Sequence, residues 1–368
     1  MKKILTVLLV IAVAFSAFAQ GGTETAASTK PTVRLLTDAT GIDDKSFNAA
    51  AWRGIVDYYG ETLDNTPSRG TLYDVVTAQS QDMYIPNLKN AADAGYDLII
   101  VTGFTWADAL GEVAPLYPDQ NFMIVDVDWV IQPNVLDYIY GEEQGSYLVG
   151  VIAAEQAKAD GITNPKFGFI GGVPGATITK FEVGYVMGVL SVFPNATIVD
   201  YYANDWGKPE LAKAQAKSWY DNGVYCIFSA AGGTGNGTIA QAKEYRMAGK
   251  NVWSIGVDSD QYADGIYEGK KSSVLTSMLK LVENSTKDAL SKIEAGTFRD
   301  ATSSAIEMVM ADGGVGYSDA NPELSASAKA AAEKAKSAII AGKVKVFKTY
   351  KEALAAGAVP AGLAALDD

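Results

Sequence analysis

Asp38-Ala-Thr-Gly-Ile-Asp-Asp-Lys-Ser-Phe-Asn48 lies between a β-rich run, Thr32 to Thr37, and a helical pattern that reaches about Tyr59. Strand, turn-rich loop and helix in that order open a βαβ unit, and in a parallel α/β sheet the loop stands at the carboxyl edge, where ligands bind. Paired acids, one aromatic ring and an amide are groups for recognising a small molecule. Asn48 donates and accepts at once, as the edge of a heterocyclic base requires, and Phe47 offers a flat apolar face. The competing reading is that Phe47 and Asn48 only begin the helix, with Asp43 or Asp44 as its cap.

Working outward, the same alternation continues. Strand patterns at Val33 to Thr37, Leu72 to Thr77, Leu98 to Val101, Phe122 to Val125 and Leu136 to Tyr140 are separated by helical ones at Lys45 to Tyr59, Asp82 to Ala94 and Thr105 to Leu116. A long helix over Glu143 to Ala159 follows, and the pattern restarts with strands at Phe167 to Ile170, Thr197 to Tyr201, Tyr225 to Phe228 and Val252 to Gly256. Helices fit between them at Thr177 to Val192, Lys208 to Asp221 and Gly237 to Ala248. Alternation of this kind predicts an α/β fold with two successive doubly wound parallel-sheet lobes and a cleft between them. The Ala/Lys-rich stretch Ser325 to Ala341 reads as a surface helix, and the tail after Tyr350 as peripheral.

Bulk properties narrow the function. Met1-Lys-Lys3, the apolar Ile4 to Phe18 and the small-x-small site Ala17-Phe18-Ala19 read as a cleavable signal peptide over 1–19. Gly21 to Lys30 reads as a disordered tether. The formal charge of −13 argues against nucleic acid and anionic membrane surfaces as partners. With no histidine and one cysteine, the commonest acid/base group and the usual transition-metal ligands are missing, so no cofactor or metal is expected. Cys226, within the apolar Val224-Tyr-Cys-Ile-Phe228, reads as a packed core thiol.

The opening motif, Ile42-Asp-Asp-Lys-Ser-Phe-Asn48 with Trp52 and Gly54, resembles the entry motif of the basic membrane protein family, the purine-nucleoside-receptor-like substrate-binding proteins of ABC transporters. The resemblance implies a bilobed type I periplasmic binding fold whose chain crosses between lobes three times. Residues 32–141 with 277–298 are then assigned to lobe 1, and 142–276 with 299–368 to lobe 2, after the signal peptide and a leader over 20–31. It also implies a soluble, monomeric receptor that closes on a nucleoside, delivers it to an inner-membrane permease and makes or breaks no bond. Many family members carry a lipid on a cysteine just after the signal. Cys226 is the only cysteine here, so a free periplasmic protein is expected.

Other loops are read beside the family pattern. Asp126, where its strand stops, matches an acid that contacts the base edge, and Phe181 after Gly171-Gly-Val-Pro-Gly175 matches a second ring facing Phe47. Gly232 in Ala230-Ala-Gly-Gly-Thr-Gly-Asn-Gly237 and Asp258 in Ile255-Gly-Val-Asp258 match contacts to the sugar, and Lys280 matches a lysine that reaches it. With Asp38, Asp44 and Asn48 these complete the candidate site. Each has a plainer alternative: a turn cap for Asp126, core for Phe181, a solvated position for Lys280.

Three rivals remain open. Gly235-Asn-Gly237-Thr-Ile-Ala240 with Asp258 some 20 residues on also fits a relaxed dinucleotide pattern. An acid-rich loop after the first strand is similar to that of calcium-dependent nucleoside hydrolases, but the spacing of Asp38, Asp43 and Asp44 differs. A receptor for a sugar or autoinducer-like ligand would share the architecture.

Overall fold

The computed structural model describes residues 30–367, so the signal peptide and most of the leader lie outside them. The leader's last residues are not disordered as expected. Lys30 Nζ donates to Tyr58 O at 2.7 Å, and Pro31 O accepts from the Tyr59 hydroxyl.

In chain order the elements are β1 (Val33–Thr37), α1 (Phe47–Tyr58), β2 (Tyr73–Thr77), α2 (Tyr84–Asp93), β3 (Leu98–Thr102), α3 (Ala107–Val113), β4 (Phe122–Val125) and β5 (Val135–Tyr140). Then come α4 (Glu142–Ala159), β6 (Lys166–Gly171), α5 (Ala176–Val192), β7 (Thr197–Tyr202), α6 (Pro209–Asp221), β8 (Val224–Ala230), α7 (Gly232–Met247) and β9 (Trp253–Asp258). A ribbon of β10 (Ile266–Glu268) and β11 (Lys271–Ser272) precedes β12 (Val274–Lys280), α8 (Val282–Glu294), β13 (Ile306–Met308), β14 (Val315–Tyr317), α9 (Ala326–Ile340) and α10 (Tyr350–Ala355).

These strands form two six-stranded sheets, ordered β13-β5-β4-β3-β1-β2 and β14-β12-β9-β8-β6-β7. All pairs in the first are parallel, and in the second only the edge strand β14 runs antiparallel, to β12. Position by position, β4 corresponds to β9 and β5 to β12. Helices cover both faces, which is why β3 and β8 are buried along their whole length and read as continuous apolar runs. Separate apolar clusters fill the outer faces, around Trp106 and Leu110 in the first lobe and Ala212 and Ile227 in the second. A third cluster runs between the sheets and joins the lobes.

The chain passes between sheets at 140–142, 280–282 and 308–315, three crossings as the fold class requires. The boundaries differ from those read in the sequence. Strand β12 keeps 277–280 in the second sheet, and β13 returns 306–308 to the first by pairing with β5. A three-residue strand has too little alternation to announce its sheet.

Two further differences have packing causes. The run from Gly232 to Gly237 is the first turns of α7 and not a loop. A Cβ on Gly237 would lie 1.8 Å from Pro209 O, so glycine is demanded by the approach of α6. The tail is not peripheral either, since Ala353, Val359 and Ala365 are buried and Ala364 N bonds Asp200. Among the described residues no helix is long and apolar enough to cross a membrane.

Candidate functional site

The site is assembled from strand ends. β1 delivers Asp38, β4 Asp126, β9 Asp258 and β12 Lys280, all at carboxyl edges facing the other lobe. Asp126 and Asp258 occupy equivalent places in the two sheets, and both have left-handed backbone, φ 71° and 62°. A non-glycine residue there costs about 1 kcal/mol, a strain that gathers at functional sites.

At the start of α1, Asp44 accepts backbone N–H bonds from Ser46 (3.0 Å), Asn48 (2.8 Å) and Ala49 (2.9 Å). It therefore caps the helix, the plainer of the two sequence readings, and fixes Phe47 and Asn48 at the cleft edge. Burial pushes Asp44 up to about 6 against those three bonds. The Asn48 amide donates to Asp38 Oδ1 (3.0 Å) and Thr40 Oγ1 (2.9 Å) and accepts from Thr102 Oγ1 (2.5 Å). Asn48 thus spends its donors on orienting Asp38, whose Oδ1 also takes Thr40 N at 3.0 Å.

The opposite end of the site is charged. Lys280 is 1% exposed, and its ammonium pairs with Asp126 Oδ1 and lies 2.9 Å from Glu142 Oε1. The rings of Phe47, Tyr140 and Phe181 surround it at 4.9, 5.1 and 5.5 Å. Lys180 Nζ meets Glu142 Oε2 at 2.6 Å and Tyr140 O at 2.9 Å, while Asp258 accepts from the Ser46 hydroxyl.

Burial opposes the charge on Lys280, but Asp126, Glu142 and Asp258 outweigh it and hold the ammonium above its ordinary range. Three buried acids share these cations unequally. Burial raises Asp126 and pushes Asp258 up to about 7, whereas Glu142, gripped by both lysines, is lowered in spite of burial.

All nine residues singled out in the sequence line one cavity between the lobes. The sequence reading missed Trp206, Phe104, Thr40, Thr105 and Ile178, which line it as well. Trp206 follows the carboxyl end of β7 and meets Phe104 edge to face across the cleft, centroids 6.2 Å apart. An aromatic in the loop after a second-lobe strand was the available signal.

Polar contacts draw the lobes together around this cavity: Lys45 Nζ to Asp264 Oδ1 at 2.7 Å, Arg53 to Ser259 Oγ at 2.8 Å, and Asn236 Nδ2 to Asp44 O at 3.1 Å. Cys226 is buried, and burial pushes its thiol up, as suits a core residue. Among the described residues no group of His, Cys, Asp or Glu is arranged to hold a metal ion.

Residues 31–349 match the family model for the ABC transporter substrate-binding proteins described as PnrA-like. The chain belongs to that family. A relative from Lactococcus lactis subsp. cremoris, the ABC transporter nucleoside-binding protein BmpA, is 35% identical over 94% of this chain and 99% of its own. The CD4+ T-cell-stimulating antigen of Listeria innocua is 39% identical over 86% of this chain and 87% of its own. Among solved structures, an ABC transporter solute-binding protein from Aeropyrum pernix superposes with a TM-score of 0.72 at 26% identity, covering 89% of this chain and 98% of that one. The cavity between the lobes is therefore the candidate substrate-binding cleft.

Proposed function

We propose that the protein captures a purine nucleoside between its lobes and presents it to an ABC permease. The observation that carries this is the two-ended cavity. One end has Phe104 and Trp206 beside the Asp38, Thr40 and Asn48 corner; the other gathers Asp126, Asp258 and Lys280, with the ring of Phe47 reaching to 4.9 Å from the ammonium. A flat base fits the first end, and the vicinal hydroxyls of ribose fit the second, where a water-poor carboxylate accepts strongly.

On this reading Trp206 and Phe104 oppose Phe47 across the base, and Gly232 lets the backbone approach the sugar. Phe181, beside Lys280 and 6.3 Å from the core ring of Phe228, then packs under the sugar instead of forming the base sandwich expected from the sequence. The nucleoside-binding name of the Lactococcus relative supports the same ligand class. Closure is a hinge motion at the three crossings, with ligand shifting the population toward the closed form.

Two of the rival readings, the calcium-dependent hydrolase and the dinucleotide site, find little support in the geometry. Both Asp44 oxygens are taken by backbone N–H groups and Asp43 is exposed, which leaves no calcium cage in the entry loop. Gly237 of the dinucleotide-like pattern is accounted for by the close approach of α6. On this reading the receptor is exported and works on the outer side of the membrane that holds its permease.

Asp258→Ala tests the assignment. It is expected to weaken inosine at least tenfold and hypoxanthine little, while Phe47→Ala weakens both. Equal losses for base and nucleoside in Asp258→Ala would overturn the ribose assignment.

A further inference from the structure

Glu142 and Lys180 do not line the cavity, yet with Lys280 they form a buried ion cluster beside it. Glu142 is 0% exposed and is the first residue of α4, directly after the Gly141 crossing. Its two oxygens divide between Lys280 (2.9 Å) and Lys180 (2.6 Å). Lys180 reaches it because α5 lies hard against α4: a Cβ on Gly184 would stand 2.2 Å from Glu143 O. Lys180 also donates to Tyr140 O, which ties the pair to the crossing itself.

Lobe membership separates the partners of Lys280. Glu142 on α4, Lys180 on α5 and Lys280 on β12 all belong to the second lobe, since α4 packs on α5, β12 and β14. Asp126, the other close partner, ends β4 of the first lobe. When the lobes part, Asp126 leaves and Glu142 stays. A buried ammonium without a counter-charge is strongly unfavourable, so the carboxylate that stays behind decides where the lysine points. If Glu142 were neutral, the remaining acids in reach would be Asp126 and Asp258, both lining the cavity. The ammonium, already paired with Asp126 Oδ1, would then be drawn further into the cavity toward Asp258 and onto the oxygens that a ligand needs.

We infer that Glu142, braced by Lys180, is a positioning residue for the sugar end of the cleft: it shares Lys280 with Asp126 Oδ1 and keeps the ammonium off Asp258, so that Asp258 and the second oxygen of Asp126 remain available to ligand hydroxyls. The inference rests on the nucleoside reading and deepens it, for it gives sugar selectivity to a residue that touches no ligand.

Calorimetric titration of the ligand-stripped full chain with inosine and with hypoxanthine tests it. Glu142→Gln should weaken inosine tenfold or more and leave hypoxanthine within twofold, with Glu142→Asp between wild type and Gln. In a Lys280→Met background, adding Glu142→Gln should change inosine binding by less than twofold, because Glu142 acts through Lys280. Equal losses for both ligands, or an undiminished effect without Lys280, would overturn the inference. Should Glu142→Gln fail to fold, Lys180→Met carries the same comparison, with a smaller inosine-selective loss expected. A wild-type protein that binds no inosine defeats the nucleoside reading before any variant is compared, and this inference with it.

Discussion

Glu182 offers a prediction whose size follows from its surroundings. It is 0% exposed on α5 and accepts from the Tyr202 hydroxyl at 2.6 Å. Burial first, and then the neighbouring carboxyl of Asp200 on β7, push it up to about 9 from the ordinary 4.5. The folded protein therefore keeps the proton at neutral pH while the unfolded chain gives it up. Stability from this group is complete below about 4.5 and is lost steadily as pH rises toward about 9. At pH 7 the difference amounts to about 3 kcal/mol.

Glutamine keeps the shape and has no proton to lose. Glu182→Gln should therefore stabilise the fold by up to about 3 kcal/mol at pH 7 and by almost nothing at pH 4.5. Urea unfolding at the two pH values measures this directly. An equal change at both, or destabilisation at pH 7, would refute the account of a buried, protonated Glu182. The chain has no histidine, so a slope between about pH 5 and 7 points to buried carboxyls.

Other substitutions probe the site and its scaffold. Trp206→Ala should cost base and nucleoside alike about 1–3 kcal/mol, the usual loss of one stacking face, measured by titration. Gly237→Ala, which places a methyl 1.8 Å from Pro209 O, should lower the urea midpoint by at least the 1–3 kcal/mol typical of overpacking, with ligand affinity changed much less. Asp44→Ala removes the acceptor for three backbone N–H groups and should destabilise by about 1–2 kcal/mol in thermal unfolding.

The sequence revealed the two α/β halves because buried parallel strands and amphipathic helices differ in period, and ligand loops in such sheets fall at strand ends. That rule pointed to Asp38 and its loop; Asp126, Asp258 and Lys280 were reached through the family resemblance, and the left-handed backbone of the two acids was legible in neither. Trp206 escaped notice because nothing local distinguishes it from any loop aromatic; only the approach of Phe104 from the other lobe gives it a place. Glu142 and Lys180 left no trace either, since their pairing depends on how closely α4 and α5 meet. Glycines were misread from Gly232 to Gly237, where turn propensity and close helix packing call for the same residue. Asn48 was read as a ligand contact, and its hydrogen bonds turn inward to Asp38, Thr40 and Thr102.

The most direct measurement is a thermal-unfolding screen of the refolded, ligand-stripped protein against purine nucleosides, free bases and sugars. Ligand at 100 times its dissociation constant should add about 2.7 kcal/mol of stability. A rise in Tm with guanosine or inosine, and none with ribose at equal concentration, is the predicted result. A shift with sugars alone, or with no nucleoside at all, would contradict the account.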